Sequence, residues 1–156
     1  MRVALFAMAF LVTAFPLIAD AQAQSERTDE QILLQRIMTD KRSVYAQTLQ
    51  LTDAESRAFW PVYDEYEGKV KKIDDQFLQL VNDYAAKYDA LTDVDAKQML
   101  ETKMKIEKQR MDLKQTYTKK VAKVLPATKA LRYAQVETRI ENLLRRQVYG
   151  LIPLAR

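Results

Sequence analysis

The sequence predicts an all-α protein of four helices, two of which form a long antiparallel hairpin, extended rather than compact. Three observations carry this reading. Beyond residue 23 the only glycines and prolines are Gly68, Gly150, Pro61, Pro126 and Pro153, while Ala, Leu, Lys, Gln, Glu, Arg and Met are abundant; such a composition favours helix. Apolar residues recur at steps of three or four through the middle of the chain. Three short stretches, "LTDAE" at 51, "LTDVD" at 91 and "LPATK" at 125, have the form of helix starts.

The first 23 residues, "MRVALFAMAFLVTAFPLIADAQA", have the layout of an export signal and are set aside. Arg2 is the positive end, Val3 to Ile18 an uncharged apolar run, and Ala21, Gln22 and Ala23 a small-x-small cleavage site. Cleavage between Ala23 and Gln24 leaves residues 24–156 as a single exported helical domain. The apolar run is shorter than the roughly 20 residues that span a bilayer, and it contains Pro16. The chain has no Cys, so neither a lipid anchor nor a disulfide is available to it.

The first helix is expected over about residues 28–48. "TDEQ" at 28 is a capping box in which the Thr28 oxygen accepts an N3 amide hydrogen while Gln31 reaches back. The second helix, 53–89, has the clearest signal. Phe59, Val62, Tyr66, Val70, Ile73, Phe77, Leu80, Tyr84, Tyr88 and Leu91 follow one another at a mean step of about 3.56 residues, between a straight helix and a supercoiled seam. Thr52 and Glu55 form its capping box, and Pro61 should bend it near Arg57.

A third helix, 93–125, is capped by Thr92. A fourth, 126–148, places Pro126 at the first helical position, where a missing N–H costs nothing. The short link around Asp89 to Leu91 makes helices two and three an antiparallel hairpin. Each exceeds 30 residues, so the hairpin is roughly 45 to 55 Å long at ~1.5 Å per residue. Either the flanking helices or a second subunit must cover its remaining apolar face.

Charge fits this arrangement. Residues 53–91 hold nine acids and five bases, and residues 93–125 hold five acids and nine bases. An acidic helix beside a basic one attracts, within the hairpin or between subunits, although each exposed pair contributes little. Removing residues 1–23 takes away Arg2 and Asp20 and leaves the net charge of +4 unchanged. In an exported protein that modest balance suits solubility or acidic protein surfaces rather than nucleic acid.

Catalysis is poorly supplied. With no His and no Cys, the usual neutral-pH base, the thiolate nucleophile and the two best transition-metal ligands are missing. Ser25, Ser43 and Ser56 lack a glycine-flanked elbow, and "DVDAKQ" at 93 lacks the glycine of a calcium loop. No catalytic residue, metal site or cofactor is expected, and the chain is read as a non-enzyme.

The third helix carries a more distinctive pattern. Met99, Ile106 and Leu113 recur every seven residues as its buried seam. Met104 and Met111 stand about 140° round from that seam, among Lys103, Lys105, Lys108, Arg110 and Lys114. Thioethers are apolar and adaptable, so methionine beside lysine suits weak holding of many apolar or acidic sequences. The alternative is that both methionines fill gaps against another helix or a second subunit. The aromatic cluster Phe59, Trp60, Tyr63 and Tyr66 is open in the same way, as core or as a docking surface for a partner.

These features resemble the small periplasmic Spy and CpxP proteins, which share paired L-T-x-x-Q motifs. The resemblance rests on "LTDAE" at 51–55 and on "IEKQRMDLKQTYTKKVAKVLPATKALRYAQVETRIE" at 106–141, and it spans about residues 28–145. Leu51, Thr52 and Leu125 match the motifs. Glu55 and Lys129 stand where each motif has glutamine, and Pro126 where threonine is expected. The resemblance implies a cradle-shaped homodimer that holds unfolded or partly folded periplasmic proteins without ATP during envelope stress, its clients meeting Met104, Met111 and the neighbouring lysines. The alternatives are a regulatory adaptor for one envelope sensor protein, docking through the aromatics, and a structural envelope protein. Metal-responsive relatives bind metal through histidines, which this chain lacks.

Overall fold

The computed structural model of the 156-residue chain describes residues 40–155. The export signal, its cleavage site and the expected start of the first helix at Thr28 lie outside the described residues.

All regular structure among the described residues is helical. Helix α1 is described over residues 40–49, α2 spans Asp53–Lys87, a single 3₁₀ turn covers Tyr88–Ala90, α3 spans Asp93–Val124 and α4 spans Ala127–Tyr149. No described helix is long and apolar enough to cross a membrane. The all-α expectation holds.

The helix starts follow the sequence signals closely. Thr52 Oγ1 accepts the Glu55 amide at 3.3 Å while Glu55 Oε2 accepts the Thr52 amide at 2.8 Å, which closes the predicted capping box. Thr92 and Asp95 form the same reciprocal pair at the head of α3. Pro61 sits inside α2, which continues unbroken through it. Pro61 and Arg57 are both exposed, so water can serve the Arg57 carbonyl that loses its intrahelical donor.

Two boundaries differ from expectation. Pro126 is the residue before α4 rather than its first helical residue; its carbonyl accepts the amides of Lys129 and Ala130, both at 2.9 Å. A proline pushes the residue before it out of the helical region, and Leu125 is accordingly extended at φ −122° and ψ 154°. One proline therefore stops α3 and starts α4. At the other end of the hairpin, α2 stops at Lys87 and the last turn tightens to 3₁₀, letting Leu91 turn into the Thr92 cap.

The helices run up, down, up, down. Arg110 meets Asp74 and Lys120 meets Glu65, so α3 lies antiparallel to α2; Lys114 meets Glu141, so α4 returns along α3. Lys41 meets Glu67 at 2.7 Å and fixes α1 against α2 in the opposite sense. The opposite charges of α2 and α3 are thus matched within the hairpin itself. Helices α1 and α4 both pack on its apolar face.

The core is concentrated at the end where all four helices meet. Tyr45 and Leu49 of α1, Phe59 and Tyr63 of α2, Val121 and Leu125 at the end of α3, and Ala130, Tyr133 and Ile140 of α4 form one buried cluster. Each large side chain buried there contributes about 1.5–3 kcal/mol. Towards the hairpin tip burial thins out, and Ile73 and Ile106 are the last apolar side chains of α2 and α3 that are fully covered.

Candidate functional site

The seven candidate contact residues of α3 divide between two sides of the helix. Arg110 reaches across to Asp74 at 2.6 Å, Lys114 to Glu141 on α4 at 2.6 Å, and Lys103 to Glu107 at 2.8 Å beside the Tyr149 ring. These three cations are held by acids of the hairpin and α4. Met104, Lys105, Lys108 and Met111 point the other way, into solvent. Among the described residues Lys108 pairs only with Asp112 one turn on, in an exposed arrangement of small energetic worth.

Leu100 joins the two methionines. Leu100, Met104 and Met111 are 57%, 56% and 62% exposed, and at 100° per residue they fall within a stripe about 40° wide. The result is an apolar ridge about 16 Å long, with Glu107 and Lys108 between Met104 and Met111 and Lys105 farther round the helix. The seam residues Met99, Ile106 and Leu113 face the hairpin interior and are buried or half-buried. The two sides of α3 are therefore divided as the heptad spacing implies, with Leu100 as the ridge member that the methionine pattern missed.

The aromatic cluster resolves differently. Phe59, Tyr63 and Tyr66 are buried, and only Trp60 remains half-exposed. Trp60 stands edge-on to Phe59 and Tyr63, with ring centres 4.9 and 5.4 Å apart, and the Arg42 guanidinium lies 4.1 Å over its centre. Three of the four aromatics hold α1, α2 and α4 together. Trp60 is the single docking candidate left on the surface.

Beneath that cluster lies a buried polar group that sequence reasoning passed over. Glu137 of α4 is 4% exposed. Tyr66 donates its hydroxyl to Oε1 at 2.7 Å, Tyr45 donates to Oε2, and the Lys41 ammonium stands 3.8 Å away. Burial, and then the charge of Glu137, push both tyrosine hydroxyls far above their ordinary range, so they remain donors. Neighbouring Glu67 is raised by burial despite its contact with Lys41. The pattern that could have revealed Glu137 is its place among Ala130, Tyr133 and Ile140, at core spacing on α4. Its groups satisfy one another, so it is a structural tie among three helices, set at the wall of an open cavity that Asp74 and Arg110 also line.

The residues around the two expected motif positions form a second tie. Lys129 donates to Glu55 Oε2 at 2.6 Å and to the Gln50 carbonyl at 2.8 Å. Leu51 packs on the core and Leu125 is part of it, while Thr52 caps α2 and Pro126 precedes α4. Gln50 ends α1 at φ 48°, a left-handed conformation that costs a non-glycine residue roughly 1–2 kcal/mol. Lys129 and Arg132, which donates to the Thr48 carbonyl at 3.3 Å, satisfy the open carbonyls of that helix end.

A last feature lies at the hairpin tip. Phe77, Leu80 and Tyr84 of α2 with Met99 and Leu100 of α3 line an apolar groove of about 310 Å³, which the C-terminal residues after Gly150 partly cover. No protein-family model, curated protein or solved structure matches the chain.

Proposed function

We propose that this chain is an exported, ATP-independent holding protein for unfolded or partly folded periplasmic proteins, a divergent relative of the Spy and CpxP proteins, and not an enzyme. The observation that supports it is the exposed ridge of Leu100, Met104 and Met111 with Lys105 and Lys108 beside it. Isolated exposed apolar residues are ordinary, but three large ones on one face of a long helix, interspersed with charge, suit contact with apolar chain segments. Unbranched thioethers adapt to many shapes, and the flanking ammonium groups attract acidic segments. Such a surface favours breadth over affinity. On this reading a homodimer presents two ridges to one client.

The test is suppression of aggregation of a chemically unfolded client by the purified mature protein, at low salt and without ATP. Suppression that weakens as salt rises is the expected result; none at excess protein overturns the reading. The adaptor alternative predicts one dominant partner in pull-downs, with binding lost on Trp60→Ala. A broad mixture of captured proteins supports holding.

A further inference from the structure

The groove at the hairpin tip is occupied in an unusual way. Tyr84 and Tyr88 stand one turn apart on the final stretch of the α2 arm. Tyr84 donates its hydroxyl to the main-chain carbonyl of Pro153 at 2.9 Å, and Tyr88 to that of Leu154 at 3.2 Å. Both therefore grip backbone rather than side chain. Residues 153–155 have no regular structure, and the side chains of Leu151 and Leu154 are 84% and 88% exposed. Ile152 alone of the three tail aliphatics is half-buried. The tail thus sits on an apolar surface through one aliphatic side chain and two carbonyls.

Recognition of that kind is nearly independent of sequence, because every peptide carries the same carbonyls. The tail is also held weakly, since most of its apolar surface stays in water. Leu100 both lines this groove and heads the exposed ridge of α3. Leu100 therefore joins the groove to the exposed face that carries Met104 and Met111.

We propose that the groove is a binding site for extended apolar peptide segments, and that residues 151–155 occupy it as an internal competitor that a client must displace. This inference deepens the holding reading and rests on it for the identity of the ligand. A tethered tail acts at a local concentration in the millimolar range. It therefore screens out weak peptides and yields to segments that extend along Leu100 onto Met104 and Met111.

The probe is a fluorophore-labelled heptapeptide with the sequence of residues 150–156, followed by polarisation. It is titrated against the full mature chain, the full chain carrying Ile152→Asp, and a chain ending at Gly150. The last two are expected to bind it about tenfold or more tightly than the unaltered chain, the range that loss of a tethered competitor allows. Tyr84→Phe with Tyr88→Phe in the Ile152→Asp background should weaken binding by roughly tenfold, as two lost hydrogen bonds imply. A peptide of unrelated apolar sequence should compete, and one rich in Asp and Lys should not. Equal affinity for altered and unaltered chains overturns the proposal, as does insensitivity to the tyrosine changes. A full-length dimer that dissociates when the tail is removed also overturns it, since the tail would then serve a second copy. Aggregation suppression is measured on the same proteins. Suppression without peptide binding sinks the groove and leaves the holding reading standing; peptide binding without suppression does the reverse.

Discussion

The Lys129 ammonium lies 2.6 Å from a carboxylate oxygen of Glu55, and the two residues come from the opening turns of α4 and α2. These are the two positions at which resemblance to the Spy and CpxP proteins leads one to expect glutamine. Each replacement alone looks like a loss of the motif. Together they form a charge-assisted pair, and Glu55 simultaneously closes the α2 capping box. Lys129 lowers the Glu55 carboxyl from its ordinary value, helped by the Thr52 amide.

The two substitutions should therefore be coupled. Glu55→Gln or Lys129→Gln alone is expected to lower the urea midpoint, because each leaves the other charge without its partner. The double change should lose less than the sum of the singles. A double-mutant cycle measures this, and strict additivity would show that the pair carries no interaction energy.

The buried carboxylate gives a larger effect. Tyr66→Phe removes one of the hydroxyls that solvate Glu137 and is expected to cost ~1–3 kcal/mol in urea unfolding. Glu137→Ala should cost more, since it strands the Tyr45 and Tyr66 hydroxyls together, while Lys41 keeps Glu67. A neutral outcome for both would mean that the buried tie at Glu137 does not stabilise the fold.

The aromatic cluster should divide in the same measurement. Phe59→Ala opens a cavity at the junction of the helices and is expected to cost ~3–5 kcal/mol. Trp60→Ala removes a half-exposed ring and should cost roughly 1–2 kcal/mol. Equal losses at the two sites would contradict their different burial.

Acid should loosen the hairpin tip. Asp95 is lowered from 3.8 to about 2, first by Lys87 and then by the Thr92 hydroxyl. A depressed carboxylate stabilises the folded state above its unfolded value and loses that contribution as pH falls through the folded one. The window therefore runs from about 4 down to about 2. Glu67, raised by burial, acts with the opposite sign and partly relieves the folded state on protonation. Asp95→Asn should flatten the fall of Tm with pH in that window, and an unchanged slope would remove Asp95 from the account.

Changing Leu100, Met104 and Met111 together to serine should leave stability nearly unaltered, within about 0.5 kcal/mol per site, because all three are more than half exposed. Client aggregation should then be suppressed several-fold less. A fully active triple variant would move the holding surface elsewhere.

Much of this was legible in the chain. The caps at Thr52 and Thr92 depend only on residues three apart, and the division of α3 into seam and ridge depends only on helical period. The stripe assigned to α2 was incomplete: Val62 does pack half-buried against the core, but the fully buried Tyr63 was left off. Near its start α2 is packed by α1 as well as by α3 and α4, and a helix with neighbours on several sides buries a wider face than one apolar stripe describes. Glu137 was missed because local pattern reasoning assigns acids to water, and the hydroxyls that solvate this one lie 92 and 71 residues away in the chain.

Local chemistry was thus enough to determine the helical class, the hairpin, the starts of α2 and α3, and the opposite charges of α2 and α3. It could not determine what covers the hairpin. Tertiary structure decided that α1 and α4 pack on one end and the C-terminal tail on the other, and that Glu55 and Lys129 belong together. It also placed Phe59, Tyr63 and Tyr66 in the core. The reason is range: capping and periodicity act over one or two turns, whereas burial and ion pairing depend on which distant segments meet, and only the folded chain settles that.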